Sequence, residues 1–323
     1  MELPLALHHA VDRMLDGVAL SDIAAAAAEL SQRYREERRD GKLHVATDRA
    51  VLAYLAARLP ATYAAVRASF AAAADRRPDF APTTFLDIGA GPGTALWAAK
   101  DCWPGVNDAL LLERSPIFAA HGETLAAAFA STRITWRIAN VAGVEFDAAP
   151  RDLVTATYLL SELASNDAAI LIDAMWRATA DMLVLVEPGT PAGWQRILAA
   201  RTRLLAAGAH LIAPCPHAQP CPLPPPDWCH FARRVARSRI HRYVKSADVP
   251  WEDEKFIYLA VSRKTAARES GARIIAPPRR GSGRVTLKLC RPDGTVGERF
   301  LSRRDGVTYK DATRKDWGDL LAE

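Results

Sequence analysis

The spacing of apolar residues changes near residue 80. Before it, Val51, Leu52, Leu55 and Leu59 recur at helical spacing behind Thr47, a capping residue, and Pro60 is expected to end that helix. Alanine runs at 24–28 and 71–74 also favour helix. No chemistry is apparent in this part, which reads as a cover or a docking surface. Beyond Pro78 and Pro82, short apolar runs alternate with helix-sized stretches. Strands are expected at Thr84–Ile88, Ala109–Leu112, Ile134–Ile138, Leu153–Tyr158, Met182–Val186 and Phe256–Val261, with a helix from Thr94 to Lys100. That alternation implies βαβ units and a parallel, Rossmann-like α/β sheet.

Residues 214–226 contain seven prolines, a density that excludes helix and central strand. Cysteines at 215 and 221 favour a stiff, anchored loop over a free linker. Pro277, Pro278, Gly281 and Gly283 mark a further boundary. The tail reads as strands Arg284–Cys290 and Glu298–Leu301 joined by a turn at Pro292–Asp293–Gly294. The division expected is a helical region over 1–79, an α/β domain over 80–270 with a Cys/Pro-rich insertion at 213–231, and a β-rich basic subdomain over 271–323.

Composition narrows the class. The 323 residues are half hydrophobic and 24% charged, which excludes wholesale disorder. No uncharged apolar run reaches the length of a membrane span, and the acidic first twenty residues lack the features of a targeting peptide. A cytoplasmic protein is expected. The net charge of +5 is unevenly spread: from Cys229 onward there are 22 Lys and Arg against 12 Asp and Glu, while the preceding part is net acidic. A basic end on an acidic body points to a polyanion such as RNA, or to a solvated arginine-rich face.

The sharpest motif is Asp87–Ile88–Gly89–Ala90–Gly91–Pro92–Gly93–Thr94. Alternate glycines after a strand let backbone pass close beneath a ligand, and the following helix offers free N–H groups. A nicotinamide fingerprint would want glycine at 94. The spacing of Asp87, Gly89, Gly91 and Gly93 instead resembles the first motif of class I S-adenosylmethionine (SAM) methyltransferases. Glu113 ends the next strand, where such folds place an acid for ribose hydroxyls, and Asn140 is a candidate for the adenine. No Asn-Pro-Pro-Tyr-type acceptor motif follows strand four. Tyr158, Ser161 and Glu162 are the catalytic candidates there, with core packing and helix capping as the competing readings.

The protein has five cysteines, an odd count for a secreted disulfide framework. Cys215, Cys221 and Cys229 cluster around the proline loop, and Cys290 follows in the tail. Thiolates gathered this way suit zinc or an iron–sulfur cluster, although the spacing is not the paired C-x-x-C of zinc ribbons. Buried structural thiols are the alternative. Cys102 stands apart and reads as a packed small hydrophobe.

Several stretches together are similar to one family: the Gly-rich loop, Glu113–Arg114–Ser115, Leu160–Ser161–Glu162–Leu163, Glu187–Pro188–Gly189–Thr190 and, most distinctively, Ala213–Pro214–Cys215–Pro216–His217, Cys221–Pro222–Leu223, Asp227–Trp228–Cys229–His230–Phe231, Glu252–Asp253–Glu254–Lys255–Phe256 and Arg314–Lys315–Asp316–Trp317–Gly318–Asp319. The chain resembles a bacterial member of the methyltransferase-like family of mitochondrial small-ribosomal-subunit assembly factors. The resemblance implies a class I SAM-methyltransferase fold, association with the small ribosomal subunit and its rRNA, and a [4Fe–4S] cluster with ligands carried over to Cys215, Cys221, Cys229 and Cys290. Zinc at the same cysteines is the alternative cofactor, and active rRNA methylation the alternative function. A radical SAM enzyme is a weaker reading, because its cysteine spacing differs. The cluster would tie the proline loop to the C-terminal strands and display Arg233, Arg234 and Arg237, read as one helix face, to rRNA phosphates. A protein that is monomeric off the ribosome is expected.

Overall fold

The computed structural model describes residues 1–36, 45–141, 148–267 and 271–322. Four helices come first: α1 (Leu5–Leu15), α2 (Leu20–Arg35), α3 (Asp48–Ala57) and α4 (Leu59–Arg76). Thr47 caps α3 by accepting from the Ala50 N–H. Pro60 does not end a helix as expected. It sits in the first turn of α4, where a missing N–H costs nothing.

The main sheet contains β1 (Thr84–Ile88), β2 (Asp108–Glu113), β3 (Arg133–Ile138), β4 (Arg151–Thr157), β5 (Thr179–Pro188), β6 (His210–Ala213), β7 (Phe231–Ala236) and β8 (Trp251–Ser262). Its order is β3-β2-β1-β4-β5-β8-β6, parallel through β5 and antiparallel from β5 to β8. The sheet is wound outward both ways from β1, as in Rossmann-like folds. Phe85, Leu86, Leu153, Val154 and Met182 through Val186 have no exposed surface. Such continuous apolar runs arise because helices cover both sheet faces.

The strands β6 and β7 escaped the sequence reading. Phe256 pairs with Pro188 of β5 and with Phe231 of β7, so β7 lies on the β8 edge opposite β5, the same edge that β6 uses farther along. The proline loop is therefore an excursion from one edge of β8, leaving after Ala213 and returning at Phe231. This corrects the helix expected at Arg233, Arg234 and Arg237. Phe231 and Val235 are buried on β7, and Arg233 and Arg234 stand opposite Glu254 and Asp253 on β8. Cross-strand charge pairs favour this ladder over a helix.

A second sheet comprises β9 (Ala272–Ile274), β10 (Arg279–Gly281), β11 (Arg284–Cys290), β12 (Val296–Ser302) and β13 (Leu320–Leu321), in the order β10-β11-β9-β13 with β12 on the other edge of β11. It has its own apolar cluster of Ala272, Ile274, Val285, Leu287, Leu289, Leu301, Ala312 and Leu321. Cys290, at the end of β11, belongs instead to the main core.

Candidate cofactor cavity and cysteine site

A cavity of about 220 Å³ opens at the carboxyl ends of the central strands. Gly89 and Gly91 form its floor, Glu113, Ser115 and Asn140 one side, and Thr157, Tyr158, Ser161 and Glu162 another. Gly89, Gly91 and Gly93 have φ of 70°, 54° and 77°, a region that favours glycine. Gly93 lies behind the cavity, where an added Cβ would stand 3.3 Å from both Leu111 and Trp136. Glu113 staples the floor: one oxygen accepts from Gly91 N–H at 2.8 Å and the other from Ser115 N–H at 2.7 Å. The Arg114 N–H also donates to this carboxylate, whose remaining acceptor capacity is left for a ligand hydroxyl. Asp87 does not line the cavity; it is buried beneath the loop, and burial with the nearby Glu113 carboxylate pushes its pKa up to about 8. Asn140 is exposed at the rim.

The N-terminal helices form the remaining wall, through Tyr34, Tyr54, Arg58 and Thr62. They bring chemistry that periodicity did not announce. Burial, the largest single influence, would lower the Arg58 pKa, but Glu254, 3.4 Å away, together with Tyr158, Tyr54 and Tyr34 outweighs it and keeps the guanidinium charged. Tyr158 donates to the same Glu254 oxygen at 2.7 Å. Burial and that carboxylate raise the phenol pKa well above its usual value, so the hydroxyl stays protonated. Tyr158 also has φ of 57°, a strained conformation for a residue of this size. Ser161 is turned back onto the Tyr158 carbonyl. Solvent reaches Glu162 at the mouth, yet the dense protein around its carboxyl and the charges of Glu113 and Glu187 push its pKa up to about 7.

The second site lies at the proline loop. Cys215, Cys221, Cys229 and Cys290 line one narrow cavity, with Ile257, Tyr258 and Leu259 of β8 as its back wall. Burial raises the pKa of the Cys229 thiol well above its usual value, and Cys215, Cys221 and Cys290 add to the rise; Cys290 is pushed up to about 12. Cys102 remains apart at the end of α5 (Thr94–Cys102), where burial likewise takes it to about 12. Among the described residues, no three His, Cys, Asp or Glu side chains are gathered closely enough to hold a single metal ion.

Two arginines that the sequence reading missed flank the cysteines. Arg201, on α8 (Pro191–Ala206), and Arg273, on β9, are each 4% exposed. Arg201 donates to the carbonyls of His217 and Gln219, and Arg273 to those of Pro214 and Gly318. Among the described residues neither has a carboxylate partner. His217 Nε2 lies 3.4 Å from Cys290 Sγ. His230 stacks on Trp228 and meets Trp317 edge-on at 4.8 Å, while Trp228 Nε1 donates to the Gly189 carbonyl at 3.1 Å. The distinctive sequence stretches thus converge around one site.

Arg234 and Arg237 are not freely displayed cations. Arg234 makes a two-pronged bridge to Asp253 at 2.9 and 3.0 Å and lies over Trp251. Arg237 is half-buried and donates to Glu252, which Lys245 also contacts. Arg233, half-buried, faces Glu254 in register.

The sheet order and the glycine loop at the strand ends define a Rossmann-like, methyltransferase-type fold. The chain belongs to the family described as mitochondrial small ribosomal subunit Rsm22, which it matches over residues 48–322. It is 31% identical over 291 residues to the human mitochondrial ribosome assembly protein METTL17, covering 84% of this chain and 62% of that protein. It is 23% identical to the Rsm22-cox11 tandem protein 2, mitochondrial, of Schizosaccharomyces pombe, covering 88% of this chain and 44% of that one. The chain thus spans from under half to just over three fifths of these relatives' lengths. Among solved structures, the SAM-bound magnesium protoporphyrin IX methyltransferase of Synechocystis PCC 6803 is 12% identical, with a TM-score of 0.42 over 77% of this chain and all of that one. No helix among the described residues is long and apolar enough to cross a membrane.

Proposed function

We propose that the protein is a SAM-binding, iron–sulfur assembly factor that docks on the small ribosomal subunit and its rRNA in the cytoplasm, as a monomer when free. The observation that carries this reading is the convergence of four cysteines from two separate parts of the chain on one cavity between two buried arginines. An unpartnered buried cation costs several kcal/mol. A thiolate-ligated [4Fe–4S] group is anionic and would compensate Arg201 and Arg273. Zinc at the same four cysteines, with its sulfurs at about 2.3 Å, is the alternative group. Metal ligation would add folding energy and lock the C-terminal sheet to the β8 edge.

Support for SAM comes from the cavity at the strand ends. Gly89 and Gly91 leave room for close backbone approach, and Glu113 and Asn140 flank them with acceptors. Among the described residues the Thr157 hydroxyl, which lines the same cavity, has no hydrogen-bond partner, as a polar ligand site would leave it. Binding is better supported than methyl transfer, because the Tyr158 hydroxyl is held by Glu254 and that of Ser161 by backbone. Contact of Arg233, Arg234 and Arg237 with rRNA phosphates would require Arg234 and Arg237 to exchange their carboxylate partners.

Anaerobically purified protein should co-sediment with small ribosomal subunits and bind SAM in a calorimetric titration. Labelled SAM incubated with precursor subunits should leave the RNA unlabelled. Labelled rRNA would overturn the non-catalytic reading in favour of an rRNA methyltransferase, and failure to co-sediment would overturn the ribosomal one.

A further inference from the structure

The second sheet buries one face and leaves much of the other open. Val285, Leu287 and Leu289 of β11 point into its apolar cluster, so Arg284, Thr286 and Lys288 stand on the opposite face. Register fixes their neighbours. Arg279 of β10, Thr286 and Phe300 of β12 form one row, and Gly281, Arg284 and Ser302 the next. At the far end of this face, Lys288 bridges to Asp227 of the proline loop and Cys290 turns into the cysteine cavity, so that end is covered. The near end is not: Phe300 is 61% exposed, and Arg279 and Arg284 are exposed around it.

The charge on this face is one-sided. Glu298 is the only acid on the outward positions of these three strands, and Arg279 neutralises it at 2.7 Å. Among the described residues Arg284 has no carboxylate partner. Arg303, exposed just past β12, lays its guanidinium against Gly283 at the β10–β11 turn, beside the Arg284 row. Residues 271–323 hold 12 Lys and Arg against 7 Asp and Glu. An exposed aromatic ring flanked by unneutralised guanidinium groups on an open strand surface is the arrangement on which bases stack while phosphates are held alongside.

We propose that this open face is a platform for single-stranded RNA, with Phe300 stacking on a base and Arg284 and Arg303 holding adjacent phosphates. The inference rests on the ribosomal reading above, because rRNA is the single-stranded polyanion that reading supplies. It does not depend on the cluster or on SAM. It also shifts the principal RNA contact from Arg233 and the carboxylate-paired Arg234 and Arg237 to the C-terminal sheet.

The test uses the full chain with a fluorescein-labelled oligouridine and, separately, purified small ribosomal subunits. Phe300→Ala should weaken oligouridine binding about tenfold or more, because each stacked base contributes substantially. Arg284→Ala should weaken it less and lower the slope of log K against log salt by about 0.7, the loss of one phosphate contact on a single strand. Both positions are surface-exposed, so thermal melting should be unchanged. Wild-type protein that binds subunits but not oligouridine, or variants that bind it like wild type, would overturn the platform while leaving the ribosomal reading intact. Variants that lose subunit binding yet keep oligouridine binding would assign the face to a ribosomal protein and likewise overturn it. Loss of subunit binding by the wild type itself would sink the underlying reading.

Discussion

At position 87 a carboxyl group is shut away from water with neither oxygen in a well-formed hydrogen bond. Burial and the Glu113 carboxylate raise its pKa from 3.8 to about 8. The sign of the pH effect follows. Below pH 3.8 the group is protonated folded or unfolded, and it costs nothing. Between there and about pH 8 the unfolded chain is ionised while the folded one keeps its proton, so the penalty grows as pH rises. Asp87→Asn should therefore raise the melting temperature by a few degrees at pH 7, with the gain shrinking toward pH 4. Calorimetric melts across that range would show it; an equal or negative change at pH 7 would mean that Asp87 is ionised and partnered. The sequence marked Asp87 as a motif residue, but not that it lies beneath the cavity. Arg201 and Arg273 were invisible for a related reason. Nothing in a lone arginine's neighbours along the chain reports that its side chain is buried against cysteines up to 89 residues away.

Among the elements, the central strands were legible because their apolar runs are long and fully buried. The expected Thr84–Ile88 and Arg284–Cys290 match the observed strands end to end. The short β6 and β7 were not, since β6 has only four residues, β7 sets two arginines between its buried Phe231 and Val235, and both pair with the long β8. The two lie on one edge, so the proline loop must leave and rejoin β8 within a short span. Gly189 makes the crossing at the end of β5 possible: an added Cβ would stand 2.8 Å from the backbone of Lys255 and Phe256. The obstructing atoms are backbone, so relief requires β5 and β8 to separate. Gly189→Ala should lower the melting temperature by several degrees, with the loss read by far-ultraviolet melts. A neutral effect would show that the strand end can shift freely. The N-terminal helices, in which the sequence showed no chemistry, line the cavity through Arg58 and Tyr54.

Over the whole molecule, two sites flank the long strand β8. Its Glu254 faces the glycine-loop cavity through Tyr158 and Arg58, and its Ile257–Leu259 stretch backs the cysteine cavity. Cysteine and glycine spacing marked both places in the sequence as candidates, and the structure gathers the four cysteines on one cavity and Gly89 and Gly91 on the other. The basic C-terminal end was legible as a total, but its distribution was not: Arg234 and Arg237 are paired with Asp253 and Glu252, while Arg284 and Arg303 stand exposed on and beside the outer sheet. The proposed metal–sulfur group at Cys215, Cys221, Cys229 and Cys290 would join the proline loop to the C-terminal sheet. Its most direct test is iron and acid-labile sulfide analysis of protein purified without oxygen, with the absorbance spectrum recorded alongside. About four iron and four sulfide per chain are expected, with a broad band near ~400 nm, retained in Cys102→Ser and lost in Cys290→Ser. Stoichiometric zinc without sulfide, or a cluster that survives Cys290→Ser, would contradict the account.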